Sequence, residues 1–274
     1  MIPLLTVALL SGALSGSMCS AVGVLCNRMK LSTMVFAVAH GALAGAALSL
    51  LMGLDSTLLG LLMALLTAVV LGPLADTLEL PIDIVSMTLF SVYNALTFLF
   101  IVLAPGQVLM TERVGKILWG SVLAVSLDKL ILLATLTLLC TLFFTLTWRR
   151  LTPILFDRRL AEAEGLDTKP YVYSLLAISG VVITLSLTLV GGFLVFSLLY
   201  LPAAGALQVS EDVKKIVAIS ALMGALSAVA GVAVSFMLDL PVGCCIVICA
   251  AVIFVVSAIL GFMRRKALIL EISR

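Results

Sequence analysis

The sequence predicts an all-α, polytopic integral-membrane helical bundle with eight or nine transmembrane helices and one short helix in a cytoplasmic loop. Hydrophobic residues make up 63% of the 274 residues and charged residues only 11%, with a mean hydropathy of +1.33. Soluble domains carry about 25% charged residues, so this composition excludes a soluble fold. The apolar residues also fall into long segments, and a helix needs about 20 residues to cross a bilayer. We therefore expect residues 1–274 to form a single transmembrane domain.

Nine apolar segments divide the chain. The segment 192–207 begins at Gly191-Gly192 and is short for a full crossing, which predicts a short or broken helix. The segment 117–147 is too long for one crossing. Asp128-Lys129 divides it into an interfacial piece, with Trp119 near its start, and a span from about residue 130. The segments are 2–25, 33–52, 57–75, 84–104, 117–147, 171–190, 192–207, 216–237 and 242–263.

The distribution of lysine and arginine predicts the orientation. If the loop 148–170 is cytoplasmic, nine crossings place most basic residues inside and Arg113 and Lys116 outside, as the positive-inside rule requires. The amino terminus is then outside and the carboxyl terminus inside. One inner loop, from Asp76 to Asp83, is acidic, but acidic residues contribute little to this rule.

The interval Trp148–Pro170 is the longest polar stretch of the chain. Thr152 is a suitable helix cap, Pro153 suits the first helical position, and Gly165 suits a left-handed stop, so we expect a helix over 152–165. Its apolar face would consist of Phe156, Leu160 and Ala163. The stretch alone is consistent with a solvated connector or with a helix on which a cytoplasmic partner docks.

His40 is the only histidine, and it lies in the middle of the second segment. An ionisable side chain at that depth is costly and is a candidate functional residue by default. The residues one turn away, Phe36 and Ala44, cannot coordinate a metal, so a structural histidine fits the pattern as well as a ligand does. Tyr93 and Asn94 are polar positions in the fourth span, where they either face a cavity or bond across helices.

Small residues in the first two spans indicate close helix packing. Gly12 and Gly16 form one Gly-x-x-x-Gly motif and Gly41 and Gly45 form another. Glycines at this spacing let helix backbones approach in lipid. We interpret both motifs as ordinary bundle packing.

Several classes of function are excluded or disfavoured by what the sequence lacks. Gly115-Lys116 is not preceded by the glycine of a phosphate-binding loop, and no paired carboxylates, nucleophile elbow or metalloprotease motif occurs. The chain is therefore not predicted to be an enzyme, and no cofactor is expected. The net charge of +2 is spread over loops and indicates no nucleic-acid partner. Cys244, Cys245 and Cys249 have the chemistry of soft metal ligands, but the sequence favours the alternative that they pack as small hydrophobic residues.

Several stretches together resemble the integral-membrane permeases of ABC importers for zinc, manganese and related metals. They occur in the family's order and spacing between about residues 27 and 263. The matching stretches are Asn27–Met29 with Ala39–Gly45, Trp119–Val125, the run Asp157, Leu160, Ala161 and Gly165, Leu189–Ala204, and Asp239–Gly243.

The resemblance implies an ATP-driven importer for divalent metal ions or a metal chelate, in the plasma membrane of a prokaryote. Its partners would be cytoplasmic ATPase subunits, an extracytoplasmic substrate-binding protein, and a second permease chain in a homodimer or heterodimer. The ATPase would contact a coupling helix, and the translocation pathway would include a metal ligand at His40. The residues implied are His40, Tyr93 and Asn94 for the pathway, and Phe156, Asp157, Leu160, Ala161 and Gly165 for ATPase coupling.

The chain also departs from the family pattern. Members usually carry an aspartate one turn before the histidine, where this chain has Phe36, and many carry a histidine near the position of Tyr93. Metals such as Zn²⁺ and Mn²⁺ need several donors. Three explanations remain open: the substrate is a metal complex or softer ion, a different permease supplies the ligands, or the site is lost.

Two other functions compete with an active ABC permease. One is a secondary transporter driven by an ion gradient, for which Asp128-Lys129 is the only candidate coupling pair. The other is a degenerate subunit that serves as a scaffold.

Overall fold

The computed structural model describes residues 4–104, 125–190 and 192–272, and these ranges contain ten helices and no strand. The helices are α1 (Leu4–Arg28), α2 (Ser32–Met52), α3 (Ser56–Leu78), α4 (Ile82–Leu103), α5 (Leu127–Phe156), α6 (Arg158–Ala163), α7 (Lys169–Val190), α8 (Gly192–Val209), α9 (Val213–Leu238) and α10 (Val242–Ile272).

Eight of the described helices are long and apolar enough to cross a membrane. The exceptions are α6 and α8, and α8, with 18 residues, is the short helix predicted after Gly191. The predicted all-α bundle of eight or nine membrane helices is therefore confirmed. Asp128 lies in the first turn of α5. The predicted interfacial piece with Trp119, like Arg113 and Lys116, lies outside the described residues.

The core of the bundle is built on α1 and α2. Helix α2 is the most buried span and packs on α3, α4 and α7, whereas α1 packs on α9, α8 and α7. Helices α4, α5 and α10 lie at the periphery and are mostly exposed. Their outward side chains are large and apolar, such as Val102, Leu146 and Phe262. This arrangement suits a chain that is surrounded by lipid.

Glycines bring the core helices together, as both Gly-x-x-x-Gly motifs predict. In α1, Gly16 lies so close to Gly224 of α9 that a Cβ atom on either residue would overlap the backbone of the other. Gly45 of α2 packs in the same way against the backbone of Leu59 in α3. The Ser20 hydroxyl group lies 2.8 Å from the Leu198 carbonyl oxygen and links α1 to α8.

The described loops that carry lysine and arginine gather at one end of the bundle, which we call the basic end. Helices α1 and α9 are antiparallel, so the end of α1 at Arg28 lies beside the start of α9. At that start, the Lys214 ammonium group lies 5.8 Å from the centroid of the Trp148 ring. The Thr33 hydroxyl donates a hydrogen bond to Asp83, which places the acidic loop at the same end as Lys30. The positive-inside rule assigns this end to the cytoplasm.

The predicted start of the short loop helix at Thr152 is wrong. Helix α5 continues through Thr152 and Pro153 because Leu151, Ile154 and Leu155 are buried and their packing extends the helix. The Thr152 hydroxyl bonds to the Trp148 carbonyl oxygen within α5 (2.8 Å) and caps nothing. The short helix is α6, which spans only residues 158–163.

Candidate functional site

The cap of α6 is Asp157. Its backbone is extended, with φ −153° and ψ 113°, and this ends α5. Its carboxylate accepts hydrogen bonds from the backbone amides of Arg159 (2.8 Å) and Leu160 (3.2 Å), as an N-cap residue does. Within this chain, Asp157 therefore has a structural role that sets the direction of α6.

Gly165 ends α6 in the left-handed conformation, with φ +87°, as the sequence predicts. Its amide bonds to the carbonyl of Glu162, and the amide of Leu166 bonds to the carbonyl of Ala161, both at 3.0 Å. This pair of bonds is the Schellman motif, which needs a residue without a Cβ penalty at its turn.

A polar network ties α6 to the start of α7. The Glu162 carboxylate accepts hydrogen bonds from the Thr168 hydroxyl and from Arg158 Nε, the latter at 2.9 Å. These bonds, that of Thr168 first, hold the pKa of Glu162 below its ordinary value. The Thr168 side chain is buried, so the network fixes a six-residue helix that is too short to be stable alone.

We call residues 156–168 the docking segment. Ala161 is 2% exposed and packs into the chain, whereas Phe156 and Leu160 are 83% and 51% exposed. Ala163 is also exposed. The segment therefore exposes two large apolar side chains on the cytoplasmic side, next to the polar network that holds α6 in place. This combination is typical of an interaction site.

His40 is buried in the bundle, with 7% of its surface exposed. Its Nδ1 atom lies 3.0 Å from the carbonyl oxygen of Phe36. A carbonyl only accepts, so Nδ1 carries the proton of the neutral ring and Nε2 keeps its lone pair. That nitrogen is the one able to coordinate a metal ion.

Aromatic rings surround His40 and form what we call the aromatic ladder. Phe36 stacks on Tyr200 at 5.0 Å and on Phe196 at 5.3 Å between ring centroids. Phe196 stacks in turn on His40 at 4.6 Å, and Phe90 meets His40 edge-on at 4.3 Å. The ladder joins α2, α4 and α8, and such pairs add about 0.5–1.5 kcal/mol each beyond their burial.

Tyr93 and Asn94 do not stack on His40. The Tyr93 hydroxyl oxygen lies 2.9 Å from that of Thr67, which links α4 to α3, and its ring packs beside Gly41. Asn94 is half-buried on α4. On this helix it is Phe90, one turn before Asn94, that contacts the histidine ring.

Sequence reasoning missed Phe90, Phe196, Tyr200 and Thr67. One signal was available: Phe36 and His40 are four residues apart on α2, and Phe196 and Tyr200 are four residues apart on α8. Residues four apart share a helix face, so these are two matching aromatic faces. Nothing in the spacing shows that the two faces meet.

No group of three or more His, Cys, Asp or Glu side chains able to hold a metal comes together in the described part of the chain. Cys244, Cys245 and Cys249 accordingly form no such cluster with one another. Sites for Zn²⁺ and Mn²⁺ use several donors, so His40 alone does not make a metal site.

A model of the ABC 3 transport family matches residues 1–261. The manganese import system permease protein ScaB of Streptococcus parasanguinis is 27% identical over 94% of this chain and 91% of its own length. The high-affinity zinc uptake system membrane protein ZnuB of Haemophilus influenzae is 27% identical over 94% and 97%.

Among solved structures, PsaBC from Streptococcus pneumoniae in complex with Fab matches with a TM-score of 0.82. It has 26% sequence identity, and the match covers 94% of this chain and 91% of that chain. The family match identifies the chain as an ABC permease and not as a gradient-driven secondary transporter. The chain belongs to the ABC 3 transport family and is the multi-pass permease subunit of an ATP-driven ABC importer in the plasma membrane of a prokaryote, with the ATPase activity in a separate subunit.

Proposed function

We propose that this permease, a single domain over residues 1–274, imports a divalent metal ion or a metal chelate. In this proposal the ATPase acts on the docking segment, and the pathway passes the aromatic ladder at His40. The similar proteins named for manganese and zinc support the substrate class. A second permease chain, homologous or identical, and an extracytoplasmic substrate-binding protein complete the transporter.

The observation that supports coupling to an ATPase is the exposure of the Phe156 and Leu160 side chains on the docking segment. Burying such a side chain against a partner contributes about 1.5–3 kcal/mol. The two side chains on this short segment therefore provide enough apolar surface to form the centre of a contact with the ATPase. Because Glu162, Arg158 and Thr168 fix the segment to α7, a displacement of α6 is passed to a membrane helix. Asp157, Ala161 and Gly165 contribute by shaping this surface.

His40 is proposed as the metal-contacting residue of the pathway. Its Nε2 lone pair is one donor, and Asn94, on the neighbouring α4, is a candidate polar contact for hydrated or chelated substrate. One imidazole does not hold a bare divalent ion, which needs several donors. The remaining donors would come from the second permease chain or from the chelating molecule itself. Tyr93 holds α4 against α3 through its contact with Thr67, and in this way it stabilises the wall of the pathway.

A scaffold subunit is the second candidate. The observation in its favour is Phe36, whose ring fills the position one turn before His40 and stacks on two neighbours. In that case the chain would bind the ATPase and hold a partner permease, while the partner alone would contact substrate.

Reconstitution distinguishes the two. The chain is co-expressed with the ATPase and the binding protein of its transporter and reconstituted into proteoliposomes, without any other permease. We expect ATP-dependent uptake of Mn²⁺, Zn²⁺ or a ferric chelate, measured by mass spectrometry of the vesicle contents. Uptake that appears only after a second, different permease is added and that survives His40→Ala would favour the scaffold. Uptake of none of these substrates under either condition would contradict the substrate class.

A further inference from the structure

A cavity of about 580 Å³ lies between α1, α5 and α9 in the half of the bundle nearest the basic end. It is separate from the aromatic ladder and from the docking segment. Its walls include Met18 of α1, Phe144 of α5 and Val217 of α9, and its cytoplasmic end is formed by Trp148, Arg149 and Lys214. No function assigned above uses it.

The wall of this cavity is apolar in spite of its hydroxyl groups. Thr137, Thr141 and Thr145 of α5 and Ser17 of α1 all line it. Each of these hydroxyls donates to a carbonyl three or four residues back in its own helix, at 2.7–2.9 Å. Their hydroxyl hydrogens therefore already donate to the backbone. A molecule in the cavity would contact mainly the methyl or methylene groups of these side chains. A polar solute would find few hydrogen-bonding partners there, whereas a hydrocarbon chain gives up no hydrogen bonds when it enters.

The cytoplasmic end of the cavity carries positive charge. Lys214 and Arg149 are both exposed, and the Arg149 guanidinium group has no hydrogen bond or ion pair with any residue in the described ranges. The carboxylate of Asp212, two residues before Lys214, accepts from backbone amides of α9 and not from the Lys214 ammonium group. Trp148, which precedes Arg149 in α5 and lies under the Lys214 ammonium group, lines the same end of the cavity, and indole rings favour the membrane interface.

The depth of the cavity matches one leaflet. Thr137 and Arg149 are twelve residues apart on α5, which is about 18 Å along a helix. Half of the hydrocarbon core of a bilayer is about 15 Å thick. A molecule with its charge at Arg149 and its chain at Thr137 would therefore span the inner leaflet from headgroup to midplane.

We propose that this cavity binds one anionic phospholipid of the cytoplasmic leaflet. Its phosphate contacts Arg149 and Lys214, and an acyl chain lies between α1, α5 and α9. Basic pockets between membrane helices on the cytoplasmic side are suited to such headgroups. The bound lipid would brace the last turns of α5, which lead directly into the docking segment. The proposal does not depend on which substrate is transported.

Native mass spectrometry of the full chain in mild detergent, titrated with phosphatidylglycerol or phosphatidylcholine, tests this proposal. We expect one phosphatidylglycerol to be retained per chain and phosphatidylcholine to bind at least tenfold more weakly. Each basic residue near an anionic lipid contributes about a factor of five, so the double substitution Arg149→Gln with Lys214→Gln should weaken binding about thirtyfold. The matched control removes the neighbouring charges by Arg150→Gln with Lys215→Gln, and it should retain the lipid.

A second variant tests the hydrocarbon part without touching the charges. Ala221→Phe places a ring in the cavity from α9, and we expect it to displace the acyl chain and lower lipid retention at least fivefold. Circular dichroism checks that the variants are folded. Equal loss in both double variants, equal binding of the two lipids, or full retention by Ala221→Phe would each overturn the proposal. So would a cryo-electron-microscopy map with protein in the cavity.

Discussion

The docking segment and the aromatic ladder each contain a pair of large side chains four residues apart in the sequence, yet their environments are opposite. Phe156 and Leu160 stand exposed beside a polar network. Phe36 and His40 lie among rings from two other helices. A spacing of four residues between large side chains therefore occurs both on an exposed surface and in the core. The charged residues beside the pair distinguish the two cases.

The two regions also differ in the range of their contacts. In the docking segment the polar contacts join residues at most ten positions apart, such as Arg158 and Thr168. In the ladder, ring contacts join α2 to α4 and α8, so that Phe36 contacts Tyr200, which lies 164 positions along the chain. Substitutions on the docking surface should therefore change partner binding and leave the fold intact, whereas substitutions in the ladder should change both stability and transport.

The largest effect is expected from Leu160→Asp. The side chain is half exposed, so the permease should fold and insert normally. In the complex, however, the substitution buries an unpaired carboxylate at the ATPase contact, which costs several kcal/mol. Detergent pull-down of the ATPase and ATP-driven uptake should both be lost. Leu160→Met, which keeps an apolar side chain of similar volume, should retain both, and normal ATPase recovery with Leu160→Asp would remove the docking assignment.

Phe36→Asp should have the next largest effect, on stability. The new carboxylate would lie among the rings of Phe196, Tyr200 and His40, and we expect several kcal/mol of destabilisation. Because residues 36 and 40 share a helix face, added Mn²⁺ or Zn²⁺ should restore part of the melting temperature. Phe36→Leu is the control that shortens the ring without adding charge. If Phe36→Asp is as stable as this control in metal-free buffer, the ladder is not a packed core.

His40 variants should lower uptake more than stability. His40→Phe keeps a ring in the ladder and removes the nitrogen donor, so uptake should fall at least tenfold with little change in melting temperature. His40→Ala should lose uptake and also some stability, because it leaves a cavity. His40→Gln should retain partial function if hydrogen bonding is the main role. Normal uptake by His40→Ala for every metal and chelate tested would make the residue purely structural.

The smallest effect is expected from pH at the docking segment. Hydrogen bonds from Thr168 and Arg158 hold the folded-state pKa of Glu162 below its unfolded value. Their stabilising contribution is therefore present above the unfolded pKa and is lost as the pH falls through the folded-state pKa. Thr168→Val removes the main donor and should move this loss to higher pH. The melting temperature of both proteins against pH measures the difference, and identical profiles would contradict the network.

The bundle could be predicted from the sequence because composition and segment length follow from the bilayer alone. The stop at Gly165 was equally visible, since its αL conformation is a local property. The start of α6 was not, because buried Leu151 and Ile154 carry α5 past Pro153, and burial is decided by distant residues. The environment of His40 was out of reach for the same reason: the ladder depends on α8 meeting α2.

The most direct test of the account is a photo-cross-link from the docking segment. The photoreactive residue p-benzoylphenylalanine is placed at position 160 and, as a control, at the similarly exposed position 238 at the opposite end of the bundle. After irradiation of membranes that contain the whole transporter, the account predicts a cross-link between position 160 and the ATPase, and none from position 238. An intact, ATP-hydrolysing complex with no cross-link from position 160 would contradict the proposed coupling site.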